Sequence, residues 1–185
     1  QGFAQGMIVD ESSYLPYDAT LPVMVKLKQM AQERQKPYLR LSMPDSSPLI
    51  AMAKGWGAKH TGRYAWQMKI PDPARLLRQI DPVLEQRLQN RAYAGLNRSL
   101  ILNLYRRGYE LVFENGTITA VNEPGFCEDA YEVRIPPDCF TQLVLGHRNR
   151  EELQAIYPDV GVSGSVQHLI DVLFPKMSAF LQIIF

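Results

Sequence analysis

Residues 99–145, SLILNLYRRGYELVFENGTITAVNEPGFCEDAYEVRIPPDCFTQLVL, carry the strongest structural signals in the chain. Four runs there have the alternating or apolar character of strands: 99–105, 109–114, 117–122 and 131–135. Between the second and third runs, Asn115-Gly116 is typical of a two-residue hairpin, because both residues tolerate positive φ. Pro136-Pro137-Asp138 then opens a predicted helix that ends at Gly146.

Helix signals flank this stretch on both sides. Asp72 is a predicted cap and Pro73 a predicted first residue of a helix, which Asp81-Pro82 restarts or kinks. Asn149 followed by Glu152 three residues later resembles a capping box. Val166, Leu169, Ile170 and Leu173 follow the i, i+3, i+4, i+7 spacing of one helix face. The second half therefore reads as a helix, an antiparallel sheet of about four strands and three helices on one face, an α+β fold.

The first seventy residues have a different pattern. The predicted elements are a strand at 3–9, a helix at 21–34, a strand at 38–42, a helix at 48–54 and a long strand at 59–70. Asp18 or Thr20 is the predicted cap of the first helix, with Pro22 in its first turn. Three strands leave open edges, so this α/β half needs another layer or a partner. Pro71-Asp72-Pro73 is the predicted boundary between domains at 1–70 and 71–185.

Composition excludes several classes of function. The 185 residues carry 20 basic and 19 acidic side chains, a net charge of +1, which provides no overall field to attract nucleic acid or an acidic membrane. Cys127 and Cys139 lack the spacing of a zinc site. No run of about 18 apolar residues and no signal peptide is present, so we expect a soluble, cytoplasmic protein without a membrane span. Because the chain starts at Gln1, we expect a processed protein or the remainder of a longer one.

Catalytic motifs are not evident. His60, His147 and His168 lie far apart with no nucleophile motif near them, so a surface or core role is favoured for each. No Gly-x-Ser-x-Gly sequence is present to indicate a hydrolase. A functional prediction therefore depends on resemblance to a known family.

The second half resembles a sterol-carrier-protein-2-like domain. The matching text is 100–105, 109–121, 130–146 and 160–176, and its most specific part is Leu173-Phe174-Pro175-Lys176. Such a domain is similar to the C-terminal module of two-part GNAT-superfamily acetyltransferases of the enhanced-intracellular-survival type. The first seventy residues look like the last third of a GNAT domain, in which a helix and a Gly-aromatic step lead into the last strands.

This resemblance implies an N-acetyltransferase that uses acetyl-CoA and a primary amine, and that forms a homo-oligomer. GNAT proteins hold the CoA pyrophosphate on an Arg/Gln-x-x-Gly-x-Gly/Ala loop at a helix start. The nearest text here, residues 52–57 (MAKGWG), lacks Arg or Gln at its first position and follows a predicted helix. We therefore expect no CoA site in this chain alone. The cofactor would bind an upstream GNAT domain as partner, or this half is a degenerate second copy.

Two kinds of site follow from the resemblance. The C-terminal carboxylate, here at Phe185, is the possible general base, and an ordinary apolar tail is the alternative. From the residues alone, Tyr64 and Trp66 could line a substrate cleft, and packing of their strand is the favoured alternative. The alternative function is a lipid- or acyl-chain-binding module without catalysis, in which an apolar pocket would use side chains from the sheet and helices, including Leu102, Leu104, Phe113 and Phe140. A purely structural domain that builds an oligomer is a third possibility.

Overall fold

The computed structural model describes residues 5–61, 67–89, 92–126 and 132–178, and within them the chain forms six helices and seven strands. The fold is α+β, as predicted. The chain separates into two compact units, with the division between residues 65 and 66. The boundary predicted at 70/71 lies a few residues further along the chain.

The first unit is built around a small parallel sheet. Its elements are β1 (Met7–Val9), α1 (Tyr17–Glu33), β2 (Leu39–Leu41) and α2 (Pro48–Gly55). β1 pairs in parallel with β2, with Met7 opposite Leu39 and Val9 opposite Leu41. Parallel neighbours need a crossover connection, and α1 supplies it.

The start of α1 differs from the prediction. The helix begins at Tyr17 after an extended Pro16, so Asp18 and Thr20 lie inside it and neither is its N-cap. The Pro16 carbonyl accepts the N–H groups of residues 19 and 20, and the Thr20 hydroxyl donates to the same carbonyl at 2.9 Å. Pro22 lies inside the helix rather than in its first turn. The main-chain carbonyl of Pro16 thus organises the first turn without a capping side chain.

The prediction of a long strand at 59–70 is wrong for the positions of that segment that the structure describes. Residues 59–61 and 67–70 form no strand, because neither segment pairs with a neighbour among the described residues. Residues 62–66 lie outside the described residues. The first unit therefore shows two paired strands in residues 5–61, rather than the three that the sequence predicts.

The second unit contains a five-stranded sheet. Its strands are β3 (Arg98–Asn103), β4 (Gly108–Glu114), β5 (Thr117–Gly125), β6 (Val133–Arg134) and β7 (Gly161–Val162), in the order β5-β4-β3-β6-β7. The sheet is mixed rather than purely antiparallel, since β6 pairs in parallel with the end of β3. β4 lies on one side of β3, and β6 lies on the other side and runs parallel to β3. β7, which sequence patterns do not predict, pairs antiparallel with β6.

The Asn115-Gly116 hairpin is confirmed. Asn115 has φ 49° and Gly116 has φ 79°, the positive values that a tight β4–β5 turn of this kind requires. A Cβ atom at Gly116 would lie only 2.4 Å from the carbonyl oxygen of Ala94. Both the backbone angle and the close approach of another loop therefore require glycine here.

Four helices accompany this sheet: α3 (Pro73–Gln89), α4 (Pro137–Val144), α5 (Arg150–Ile156) and α6 (Gln167–Leu173). The predicted cap of α3 is confirmed, because Asp72 Oδ1 accepts the Arg75 N–H at 2.8 Å. α3 continues through Pro82 without restarting. The predicted capping box of α5 is also confirmed, with Asn149 and Glu152 each accepting the other's backbone N–H.

The core of the second unit lies between the sheet and its helices. It forms one cluster of buried apolar side chains, including Leu77, Leu84, Leu100, Leu111, Phe113, Phe140, Leu153, Leu169 and Phe174. α3 also lies along the outer edge of β5, where Glu85 accepts the Ile118 N–H at 2.7 Å and Arg78 donates to the Val121 carbonyl at 2.8 Å. Side chains of α3 thus form hydrogen bonds with backbone groups of β5 that an edge strand would otherwise leave exposed. Among the described residues, no helix combines the length and apolar composition needed to cross a bilayer.

Candidate functional site

The structure describes four of the seven residues that were predicted to form a site. Tyr64, Trp66 and Phe185 lie outside the described residues, so their roles stay predictions. Leu102 and Phe113 are each 1% exposed and belong to the core cluster of the second unit. The other two predicted pocket residues, Leu104 and Phe140, line a small cavity.

This small cavity has a volume of about 70 Å³. Its lining comes from three segments of the second unit: Lys69, Ile70, Pro73, Leu104, Pro137, Asp138, Phe140 and Thr141. The Thr141 hydroxyl already donates to the Pro137 carbonyl at 3.0 Å. A volume of this size holds roughly two water molecules, at about 30 Å³ each, and is too small for an acyl chain.

A wider pocket adjoins the cavity and shares Lys69 and Ile70 with it. Its volume is about 290 Å³, near the lower end of the range typical of small-molecule sites. The pocket is lined by the segment before α3, by α3 itself and by the end of α4: Met68, Lys69, Ile70, Pro71, Asp72, Arg75, Leu76, Gln79 and Leu145. We call it the Lys69–Arg75 pocket. Sequence reasoning missed it, although the break at Pro71-Asp72-Pro73 between two cationic residues was a usable signal.

The lining of the Lys69–Arg75 pocket has more cationic than anionic side chains. Lys69 and Arg75 are exposed, and neither side chain makes an ion pair within the residues that the structure describes. The single carboxylate in the lining, Asp72, is held as the N-cap of α3 by the Arg75 N–H. The pocket therefore presents two cations and one helix-capping carboxylate over a largely apolar wall, a net charge of +1.

The Gly55-Trp56-Gly57 step forms a helix end. The N–H groups of Trp56, Gly57 and Ala58 all donate to carbonyls in the last turns of α2. Gly57 has φ 79°, the left-handed conformation common just after a helix. A phosphate cradle needs free N–H groups at a helix start. This turn has its N–H groups in use and lies at the opposite end of its helix.

Within the part of the chain that the structure describes, the remaining candidate side chains form no reactive arrangement. The Tyr93 hydroxyl lies 3.0 Å from His168 Nδ1 at an exposed position. Cys139 is buried, and that burial raises the pKa of its thiol, which keeps the sulfur protonated at neutral pH. No group of three or more His, Cys, Asp or Glu side chains among the described residues is arranged to hold a metal ion.

Comparison of the chain with protein-family models, with curated proteins and with solved structures found no match. The geometry of the two units is therefore the basis for any functional assignment beyond the resemblance in the sequence.

Proposed function

We propose that this chain is the C-terminal region of an acetyl-CoA-dependent N-acetyltransferase that acts on a primary amine. It shapes the acceptor side and an oligomer interface, while an upstream GNAT domain holds the CoA. The observation that carries this proposal is the unfinished parallel sheet of the first unit.

The first unit is too small to form a complete α/β domain from its described residues. β1 and β2 have three residues each and pair only with each other in residues 5–61. Parallel sheets normally contain more strands and are covered on both faces. Among the described residues of this unit, one small cluster of buried apolar side chains forms, Met24, Met43 and Leu49, with partly buried residues around it. These features support a fragment that completes a larger sheet.

The exposed face of α1 gives separate support. Tyr17 is 89% exposed, Leu21 48% and Val25 42%. Their spacing of four residues places them on one side of the helix. An apolar stripe of this kind is normally packed against another layer. In the proposed enzyme, the missing layer belongs to the upstream domain.

The reaction needs little from this chain beyond shape. The amine nitrogen attacks the thioester carbonyl, a C–N bond forms, the C–S bond breaks, and CoA leaves as thiolate. A general base takes the proton from the amine. The helix-end geometry of residues 55–57 supports placing the CoA pyrophosphate outside this chain. A cytoplasmic location accompanies the proposal, because Cys139 is a free, buried thiol and thiols persist in that compartment.

The lipid-binding alternative has less support. Leu104 and Phe140 do line a cavity, but its volume is about 70 Å³. Leu102 and Phe113 pack in the core. An acyl chain would have to displace side chains that are already packed, which costs several kcal/mol, about as much as the large core substitutions that are known. We therefore place acetyl transfer first.

The test is a pair of acetyl-CoA titrations by calorimetry. The first uses the chain as given, and we expect no binding. The second uses the natural polypeptide that includes the proposed upstream GNAT domain. For it we expect binding of acetyl-CoA, and release of CoA thiol when a primary amine is added. Binding to the chain alone would show that the 55–57 turn was misinterpreted. A natural polypeptide that neither binds acetyl-CoA nor releases thiol would overturn the proposal.

A further inference from the structure

We propose that the Lys69–Arg75 pocket binds a small amphipathic carboxylate, a molecule with one anionic end and a short apolar body. This inference concerns a surface pocket of the second unit and does not depend on acetyl transfer. It also differs from a lipid site in the core, because none of the four predicted core-pocket residues lines this pocket.

The wall of the pocket selects for an apolar body. Met68, Ile70, Pro71, Leu76 and Leu145 supply most of its surface. Met68 is 43% exposed, so apolar area remains available to a ligand. Burying such area is favourable in proportion to the area removed from water. The volume of about 290 Å³ limits the body to a short chain or a single ring.

The polar side chains select for one negative charge. Arg75 can bind a carboxylate through two parallel N–H donors, and Lys69 adds a second positive charge. Gln79 offers an amide donor from the same helix, one turn further on. Asp72 keeps its negative charge while its Oδ1 accepts the backbone N–H of Arg75 at 2.8 Å, so two cations and one anion give the lining a net charge of +1.

The same charges argue against other ligands. A primary ammonium would face two cations and one carboxylate, a net positive charge, so this pocket is not where the amine of the proposed reaction binds. A neutral alcohol would gain the apolar wall without the charge interaction. A highly charged phosphate ester would leave the apolar wall unused and find only two cations to neutralise it.

The experiment compares three probes that share one apolar body. Octanoate, octanol and octylammonium are each titrated into the full chain and followed by two-dimensional NMR at low salt. We expect octanoate to bind with a Kd of about 1 mM or tighter and to shift the signals of residues 68–79 and Leu145. Octanol should bind several times more weakly, and octylammonium should cause no shift in this region.

Charge variants then locate the anionic end. Arg75→Gln and Lys69→Gln should each weaken octanoate binding about two- to fivefold, the range for exposed charge pairs. The matched control is Arg106→Gln, which removes an exposed positive charge of the second unit outside the pocket. It should leave the Kd within error, and raising the salt should weaken binding to the unchanged protein.

Several outcomes would overturn the proposal. They are the absence of octanoate binding at 10 mM, equal binding of octanol, and equal weakening by Arg106→Gln and Arg75→Gln. Thermal unfolding of each variant checks that the fold is intact, and all three substituted residues are exposed. Because acetyl-CoA titration is a separate measurement, failure of this site and failure of the proposed acetyltransferase can be told apart.

Discussion

The two units of this chain contain similar elements but differ in how completely those elements are packed. In the second unit, the sheet and helices enclose one continuous cluster of twenty-five buried side chains among the described residues. In the first unit, the corresponding cluster has three, Met24, Met43 and Leu49. Amphipathic helices and short strands are present in both, so local propensity does not separate them.

The difference shows where stability comes from. Helices and strands of this length gain most of their stability from tertiary packing of their apolar faces. The described residues of the second unit supply that packing. Side chains of α3 also form hydrogen bonds with backbone groups at the outer edge of β5. The first unit leaves Tyr17, Leu21 and Val25 of α1 uncovered by its described residues. Among its described residues, this apolar side of α1 therefore stays exposed to solvent.

The largest expected effect compares two fully buried leucines. Leu111→Ala in β4 should lower the free energy of unfolding of the second unit by about 3–4 kcal/mol, because its packed surroundings cannot close the cavity. Leu49→Ala in α2 should cost the first unit about 2 kcal/mol, since its neighbours are partly exposed and water can reach the gap. Urea unfolding followed by NMR resolves residues of each unit. Equal losses would show that the cores are equally well packed.

The second comparison uses two ion pairs. Asp171 accepts from Arg150 Nε at 3.0 Å and from its Nη2 at 2.8 Å, and the Arg150 side chain is only 10% exposed. Asp171→Asn should cost about 1.5–3 kcal/mol, because the poorly hydrated Arg150 loses its nearest carboxylate and keeps only Gln154 at 2.7 Å and Glu151 at 3.4 Å. The Arg150–Asp171 hydrogen bonds also raise the pKa of the Arg150 guanidinium.

The matched pair in the first unit is Lys54–Asp45, at 3.1 Å with both side chains about half exposed. Asp45→Asn should cost less than about 1 kcal/mol, because water screens an exposed pair. Thermal unfolding of the two variants measures both effects. A larger loss from Asp45→Asn than from Asp171→Asn would contradict the contrast between the units.

A smaller difference is expected in amide hydrogen exchange. The amides of Met7 and Ser42 are bonded to carbonyls of the short β1–β2 sheet, at 3.0 and 2.9 Å. After correction for intrinsic rates, they should exchange at least about tenfold faster than amides paired between β3 and β4, because weakly packed segments open locally. Addition of the proposed upstream domain should remove this difference. Protection of Met7 equal to that of Leu111 in the chain alone would mean that the small sheet is already complete.

The smallest effect concerns acid stability of the second unit. The Glu110 carboxylate accepts a hydrogen bond from Asn122 at 2.9 Å, which lowers the pKa of Glu110 below its ordinary value of 4.5. A carboxyl whose pKa is lower in the folded state contributes stability above the unfolded pKa, and this contribution is lost as the pH falls through the folded pKa. Asn122→Ala should raise the pKa of Glu110, as measured by NMR titration of its carboxyl carbon. Thr119→Ala, on the same strand, is the control and should leave that pKa unchanged.

Local signals in the sequence predicted those features that depend on a few neighbouring residues. The Asn115-Gly116 turn, the Asp72 cap and the Asn149–Glu152 capping box are confirmed because each is a hydrogen-bonding or backbone property of adjacent positions. The start of α1 was predicted wrongly for a related reason. Asp18 and Thr20 have the right chemistry for a cap, but the carbonyl of Pro16 organises the first turn instead.

Pairing over long distances could not be read from the sequence. β7 has two residues, Gly161–Val162, and exists as a strand only because Val162 lies opposite Val133. The parallel pairing of β6 with β3 likewise depends on which side of the sheet the chain reaches. The Lys69–Arg75 pocket joins residues 68–79 to Leu145, and no local pattern connects positions so far apart.

The sequence by itself therefore determined the α+β class, the hairpin and most of the helices, because periodicity, caps and turn residues act over one or two turns of chain. Only the tertiary structure decided the mixed sheet, the large buried cluster of the second unit, the small one among the described residues of the first, and the Lys69–Arg75 pocket. These features depend on which apolar faces meet and which charges remain unpaired, and both are properties of contacts between segments that are distant in the chain.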